Sequence, residues 1–325
     1  MAGLRILVVR TGSMGDIIHA LPAVATLKHS FAGWTLCWVV DPKWDALLEG
    51  NPFVDRRIPL RRNARGIWEA WRELRAARYD FAVDFQGLIK SAVLALAGRC
   101  DRIYGFHQSQ VREKLAALAY SNRVRTSAAH VVDRNLELAA AAGATTILRT
   151  FPLPDGRPEG DLPAGDFVLS SPLAGWAGKQ WPLESYARLA RCLREELGLP
   201  LALNGPPEAA AWLRSIPEVA VHVSGIPGLI HATRQALAVV GIDSGPLHLA
   251  AALGKPGVAL FGPTDPARNG PYGDTFTVLR SPRATTSYRR RADTDPAMRE
   301  ISPEAVFEAL KTRLAALRKA AGASA

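Results

Sequence analysis

Asp243, Ser244, Gly245 and His248 stand within six residues of one another in the stretch GIDSGPLHLAAALGKP (241–256). An apolar run turns there into an Ala/Leu helix. A helix start leaves backbone N–H groups free, and their partial positive charge favours an anion, a phosphate above all. Asp243 is a poor phosphate ligand but a good acceptor for sugar hydroxyls or for a lysine. Lys179, in the Gly-containing loop PLAGWAGKQWP (172–182), can be that lysine and can bring charge to a phosphate. Trp176 and Trp181 flank it.

TGSMGDIIH (11–19) repeats the form of strand, glycines and helix. Gly12 and Gly15 permit a tight turn and close approach of a ligand. Asp16 at the helix start is either a helix cap or a general base aimed at a substrate. A dinucleotide-binding turn is the rival, with Asp41 ending the next strand as the ribose acid. Arg10, however, occupies the place of the first glycine, and Asp16 would repel a pyrophosphate. DFQGLIKS (84–91) collects Gln86, Gly87, Lys90 and Ser91 at another strand end, as a ligand surface or as a solvated loop. Asp293 and Asp295 spell a DxD pair, but in a loop after Arg289, Arg290 and Arg291, which argues against a metal there.

These residues need strand ends to hold them. Apolar runs predict strands at 4–10, 35–41, 79–87 and 101–106, with helices at 16–31, 65–78, 91–98 and 131–144 between and after them. Pro22 either bends the first helix or lies in its first turns. The Pro- and Gly-rich segment 151–166 predicts a linker. Alternation restarts beyond it, with strands in FVLSSP, LPLALNG, AVHVSG, ALAVVGID and GVALFG. The fold class is therefore α/β, with two Rossmann-like, doubly wound parallel-sheet domains. Such a pair suits a ligand at the carboxyl ends of both sheets. A last helix, 302–321, starts with Ser302 as cap and Pro303 at its first position, and Val306, Leu310, Leu314 and Leu317 form its apolar face.

The 325 residues are 48% hydrophobic and carry a net charge of +10, with eight arginines between 56 and 78. That basic face suits a phosphorylated substrate or an anionic lipid surface. Nucleic acid is not expected, because no aromatic residues interleave the arginines on a recognisable module. The start reads as no signal peptide, and no run is long enough for a membrane span. Cys37, Cys100 and Cys192 are too far apart for a metal or disulfide framework, so a cytoplasmic location is expected.

Taken together, SMGDIIHALPAV (13–24), DFQGLIKSA (84–92), VREKLAALAY (111–120), KQWP (179–182) and DSGPLHLAAALGKP with FGPTDP (243–266) resemble the ADP-heptose:lipopolysaccharide heptosyltransferases, glycosyltransferase family 9. The pattern is nearest the heptosyltransferase I branch. The resemblance implies a GT-B fold with an acceptor-binding domain (1–155), an ADP-sugar-binding domain (156–300) and a C-terminal helix (301–325) that returns to the first domain. It implies an inverting, metal-independent transferase without a cofactor. The donor would be ADP-heptose, and the acceptor the Kdo of Kdo2-lipid A, met peripherally at the inner leaflet of the inner membrane.

Carried over residue by residue, the family's catalytic aspartate matches Asp16 and its pyrophosphate lysine matches Lys179. The donor side matches Ala174, Gly175, Glu208 (on the ribose), Asp243, Ser244, Gly245 and His248. The acceptor side matches Ser13, Met14, Gly15, Arg61, Arg62, Gln86, Lys90 and Arg112. Two features depart from the pattern. Ala174 and Gly175 replace a Thr pair, leaving only backbone donors, and the region 287–297 has none of the cysteines seen in many relatives. Another GT-B enzyme, heptosyltransferase II-like or using a different nucleotide sugar, is the alternative, followed by a sugar-nucleotide epimerase.

Overall fold

The computed structural model describes residues 3–287 and 292–323. Arg289, Arg290 and Arg291 lie outside them. The chain divides into two units, Met1–Pro154 and Asp155–Ala325.

In the first unit the strands are β1 (Arg5–Val9), β2 (Thr35–Val40), β3 (Arg56–Pro59), β4 (Phe81–Asp84), β5 (Arg102–Phe106) and β6 (Asn122–Val124). They form one parallel sheet in the order β3-β2-β1-β4-β5-β6. The helices are α1 (Met14–Ser30), α2 (Ala64–Ala76), α3 (Ile89–Ala97) and α4 (Val131–Ala141). β1 and β4 are continuous apolar runs because both their faces are covered. α1 is buried along most of its length against α4, where Asn135 Nδ2 donates to the His19 carbonyl at 3.0 Å. Pro22 falls inside α1 rather than in its first turns.

The second unit repeats the pattern. β7 (Val168–Ser171), β8 (Leu201–Gly205), β9 (Ala220–Val223), β10 (Ala238–Ile242), β11 (Gly257–Phe261) and β12 (Phe276–Arg280) lie parallel in the order β12-β11-β10-β7-β8-β9. Counted from its own first strand, this is the strand order of the first unit and of the dinucleotide-binding folds. Its helices are α5 (Leu183–Leu197), α6 (Ala210–Arg214), α7 (Ile226–Gln235), α8 (Gly245–Ala252), α9 (Pro266–Asn269), α10 (Pro296–Arg299) and α11 (Pro303–Ala323). Edge strands β3, β6 and β12 were not expected from the apolar runs; β3, RRIP, buries only Ile58.

Ser302 Oγ accepts from the Ala305 N–H at 3.2 Å, and the final helix packs on α5 and the second sheet. Val306, Phe307, Leu310 and Leu314 complete the second unit's core, while Leu317 is exposed. The segment 151–166 contains no helix or strand, yet part of it is fastened to the second unit. Arg157 N donates to the Pro227 carbonyl at 3.1 Å, and Glu159 accepts from the Gly225 N–H at 2.7 Å.

β11 shows how tightly the second sheet is built. A Cβ on Gly257 would stand 2.0 Å from the Val239 carbonyl oxygen and 2.5 Å from Phe276 Cε1. Gly257→Ala is expected to destabilise the protein by about 1–3 kcal/mol, read as a lower denaturant midpoint.

Candidate active site

In the doubly wound order, the strand sequence reverses between β1 and β4 in the first unit and between β7 and β10 in the second. Loops leaving two such strands diverge and open a crevice at the carboxyl ends. The sequence places its polar residues on these four loops.

In the first unit the loop after β1 carries Arg10 to Ser13. Gly12 has φ 154°, and a Cβ there would meet Trp44 Nε1 at 2.7 Å, so no other residue fits the turn. Asp16 is the third residue of α1, and its Oδ2 accepts from the Ser13 N–H at 2.8 Å and Oγ–H at 2.9 Å. Its Oδ1 forms an ion pair with Arg10. Burial alone would raise the carboxyl pKa, but the Arg10 guanidinium and the Ser13 donors outweigh it and hold Asp16 below the ordinary carboxylate range. The side chain is still 37% exposed, so the carboxylate keeps an open flank. Both the cap and the base readings of Asp16 are thus compatible with one geometry. Arg10, read from the sequence only as a missing glycine, is its chief partner.

The loop after β4 is less of a ligand surface than its composition suggests. Gln86 Oε1 accepts from both the N–H (2.9 Å) and the Oγ–H (2.8 Å) of Thr11, so Gln86 fixes the β1 loop. Buried Asp84 accepts from Ser91 Oγ (2.7 Å), Tyr120 Oη (2.7 Å) and Gln86 N (2.8 Å), which commits Ser91 to the structure as well. Lys90 is exposed and lines a cavity of about 370 Å³ with Thr11, Asp41, Arg61 and Arg62 over a floor of Leu60, Ile67, Trp71, Val93 and Leu94. Arg61 pairs with Glu69 at 3.6 Å and Arg62 with Asp41 at 2.7 Å. Asp41 also accepts from the Lys43 N–H at 3.0 Å, so it is engaged and not poised for a ribose. Met14 and Gly15 are buried in the first turn of α1; Arg112 is exposed on the loop beyond β5 and does not line this cavity.

In the second unit Ser244 occupies the N-cap position of α8 without a side-chain cap bond, and Gly245 is the first residue of the helix. Asp243, 5% exposed, receives Lys179 Nζ at 2.6 Å on Oδ2 and His248 Nε2 at 3.5 Å on Oδ1. Lys179, 16% exposed, closes the 3₁₀ turn Ala177–Lys179 and lies 4.9 Å from the Trp176 ring centre, in cation–π range. Against burial, His248 and Lys179 keep the Asp243 carboxyl far below its usual range. Ser244 Oγ and Thr264 Oγ1 are buried donors with no partner among the described residues. Buried polar groups left so are uncommon away from binding sites. Thr264, in the quoted FGPTDP segment, was not singled out from the sequence; a hydroxyl just past an apolar strand end was the available signal.

Other expected residues stand apart from this cluster. Ala174 and Gly175 lie on the same loop as Lys179, with open space where a Gly175 Cβ would be. Glu208 is exposed on the turn after β8, with no partner among the described residues. Trp181 is a core residue, donating to the Ile301 carbonyl at 2.9 Å. Asp295 caps α10 through the Ala297 N–H at 3.0 Å, and no group of three His, Cys, Asp or Glu among the described residues could hold a metal.

The Asp243 ionisation has a sign. Its folded pKa is depressed below the ordinary 3.8, so its contribution to stability is present above that value and is lost progressively as pH falls from there through the lower folded pKa. Unfolding midpoints measured from pH 6 to pH 3 should fall more steeply in the wild type than in Asp243→Asn.

One switch point carries a preformed cation and a helix start, and the other an ionised aspartate. The solved structure of E. coli heptosyltransferase WaaC with ADP-2-deoxy-2-fluoro heptose is similar, with TM-score 0.75 and 27% identity over 95% of this chain and 99% of that one. Residues 67–298 match the model of glycosyltransferase family 9 (heptosyltransferase). Lipopolysaccharide heptosyltransferase 1 of Escherichia coli K12 is 31% identical, covering 86% of this chain and 94% of its own. Lipopolysaccharide heptosyltransferase 2 of Salmonella typhimurium LT2 is 30% identical, covering 96% and 99%. The chain belongs to glycosyltransferase family 9, the heptosyltransferases.

Proposed function

We propose that the chain transfers L-glycero-D-manno-heptose from ADP-heptose to the Kdo of Kdo2-lipid A, building the lipopolysaccharide inner core. The single observation that carries this reading is the Lys179–Asp243–His248 cluster at the start of α8, a ready-made place for a sugar-nucleotide diphosphate. Heptose as the sugar is supported by the likeness to a heptosyltransferase solved with a heptose donor analogue, and the acceptor by the likeness to heptosyltransferases 1.

An acceptor hydroxyl attacks the anomeric carbon, the bond from that carbon to the diphosphate oxygen breaks, and the stereocentre inverts in one displacement. Asp16 takes the hydroxyl proton. A carboxylate held below its usual pKa is a weaker base, so the transfer comes late, when the forming bond has made the hydroxyl acidic. ADP departs with negative charge on its β-phosphate. Lys179, whose Asp243 contact uses one of three N–H donors, and the Ser244 and Gly245 amides stabilise that charge. We assign no metal or cofactor a part in this. Glu208 would hold the ribose. The cavity walled by Arg61, Arg62 and Lys90 would take the anionic acceptor, with Ser13 and Gln86 shaping its approach to Asp16. The protein would act peripherally on the cytoplasmic face of the inner membrane; among the described residues no helix is long and apolar enough to cross one.

Because recognition of Kdo and lipid phosphates is electrostatic in this reading, the acceptor KM should rise with ionic strength at constant detergent. A salt-independent KM overturns that part.

The test is ADP release and acceptor mass with ADP-heptose, EDTA and either Kdo2-lipid A or the same acceptor already carrying one heptose. A gain of one heptose on Kdo2-lipid A supports the proposal. Transfer only to the heptosylated acceptor moves it to the second reading, a heptosyltransferase 2 activity, which the 30% identity over 96% of the chain favours. No transfer to either, from folded protein that binds ADP, overturns the heptose reading.

A further inference from the structure

Large exposed apolar side chains are unevenly distributed. Among the described residues, seven of the eleven lie on α2, α3 and the 3₁₀ turn Lys114–Ala119, elements of the first unit in which α3 packs on the other two. Along α3, Ile89, Val93 and Leu96 fall at i, i+4 and i+7 and face outward, while Ala92 and Ala95 face the core. A helix apolar on both faces is normally covered on both. In the 3₁₀ turn, Leu115 and Leu118 eclipse one another and are 66% and 68% exposed, whereas Ala116 and Ala117 are buried. Folding gains nothing from leucines held in water, and a contiguous patch of them marks an interaction surface.

The surrounding charge identifies what covers it. Residues 61–118 hold eleven lysines and arginines against six aspartates and glutamates, half of the chain's net +10. The acidic groups are largely engaged: Glu69 and Glu73 pair with arginines of the α2 region, Asp101 with Arg78, Asp84 is buried, and Glu113 accepts from the Ile89 N–H. Lys90, Arg99, Arg112 and Lys114 are exposed and have no ion pair among the described residues. Outward leucines beside unpaired cations match an anionic bilayer, whose headgroups take the charge while the side chains enter the acyl boundary.

We propose that the face formed by α3, the Lys114–Ala119 turn and the N-terminal end of α2 docks on an anionic lipid bilayer. The proposal deepens the peripheral placement above and rests on it for which bilayer is met. Ile67 and Val93 belong both to this face and to the wall of the Arg61–Lys90 cavity, so docking would set that cavity at the lipid surface.

Flotation with vesicles tests it. The probes are phosphatidylcholine alone and phosphatidylcholine with about one third phosphatidylglycerol, a composition chosen to give an anionic surface. Wild type should float with the anionic vesicles only. Leu96→Gln, Leu115→Gln and Leu118→Gln together touch neither the cavity nor Asp16, and should lower the partition coefficient on the order of tenfold. Arg99→Glu with Lys114→Glu should do the same and abolish the dependence on phosphatidylglycerol. Turnover of the triple variant on water-soluble O-deacylated acceptor should equal wild type, and its thermal midpoint shows that it folds. Failure of wild type to float, or equal flotation of the triple variant, overturns the proposal. So does loss of self-association in the triple variant without any vesicle binding, which would make the face a contact between copies. Flotation that follows these variants in a protein that transfers no sugar keeps the surface and rejects the catalytic reading.

Discussion

Asp16→Asn is expected to reduce turnover by about 10²- to 10⁴-fold with little change in donor KM. The Asn keeps one oxygen for the Ser13 N–H and hydroxyl, but its NH₂ group meets the Arg10 guanidinium, donor against donor, and it cannot take a proton. A matching thermal midpoint separates lost chemistry from lost structure. The wild-type pH profile carries a second signature. With the Asp16 carboxyl already below its ordinary range, its ionised form persists on the acid side, so kcat/KM should stay level from pH 8 to pH 5 as far as this group is concerned. Near-normal turnover in a folded Asp16→Asn protein rules Asp16 out as the base.

Lys179→Met should act on chemistry and on stability together. Removing a fixed cation from a departing phosphate costs on the order of 10²–10³ in kcat, and donor binding should weaken too. Unlike Asp16→Asn, this variant should therefore change the affinity for ADP itself, measured without acceptor. It also leaves buried Asp243 with only His248 for a charge partner. Breaking such a pair from one side costs about 3 kcal/mol, the low end for buried pairs because Lys179 keeps some solvent contact. Unchanged ADP affinity and turnover would remove Lys179 from the site.

The lysine–aspartate pair was legible because both residues sit at strand ends of one sheet, and a buried Asp at a helix start asks for a cation. The pairing of Arg10 with Asp16 was not. Sequence spacing tells which strand end bears a residue, and not how a long side chain folds back from the residue just past a strand onto the next helix. Gln86 and Ser91 show a second use of polar residues at a strand end: Gln86 Oε1 takes both Thr11 donors and Ser91 Oγ donates to Asp84, so part of the hydrogen-bonding capacity that suggested a ligand holds the loops in place. Central strands were readable as apolar runs. Edge strands such as RRIP and NRV were not, because one side of each meets water and the run loses its apolar character. The last helix was readable as a helix, with most of its apolar face. Its docking partner was not, since an amphipathic stripe specifies burial without naming the surface that provides it.

The strand order shared by the two sheets has an evolutionary consequence. In each, candidate site residues occupy loops that part company at the reversal of strand order, while the strands beneath are filled largely by Val, Leu, Ile and Ala. Drift in the loops then alters ligand preference at small cost to the scaffold, and drift in the strands alters scaffold durability at small cost to preference. Gly175 is a case in point: a Cβ there would meet nothing within 4 Å, so a hydroxyl side chain can be exchanged in and out at that position while the sheet below is left as it was.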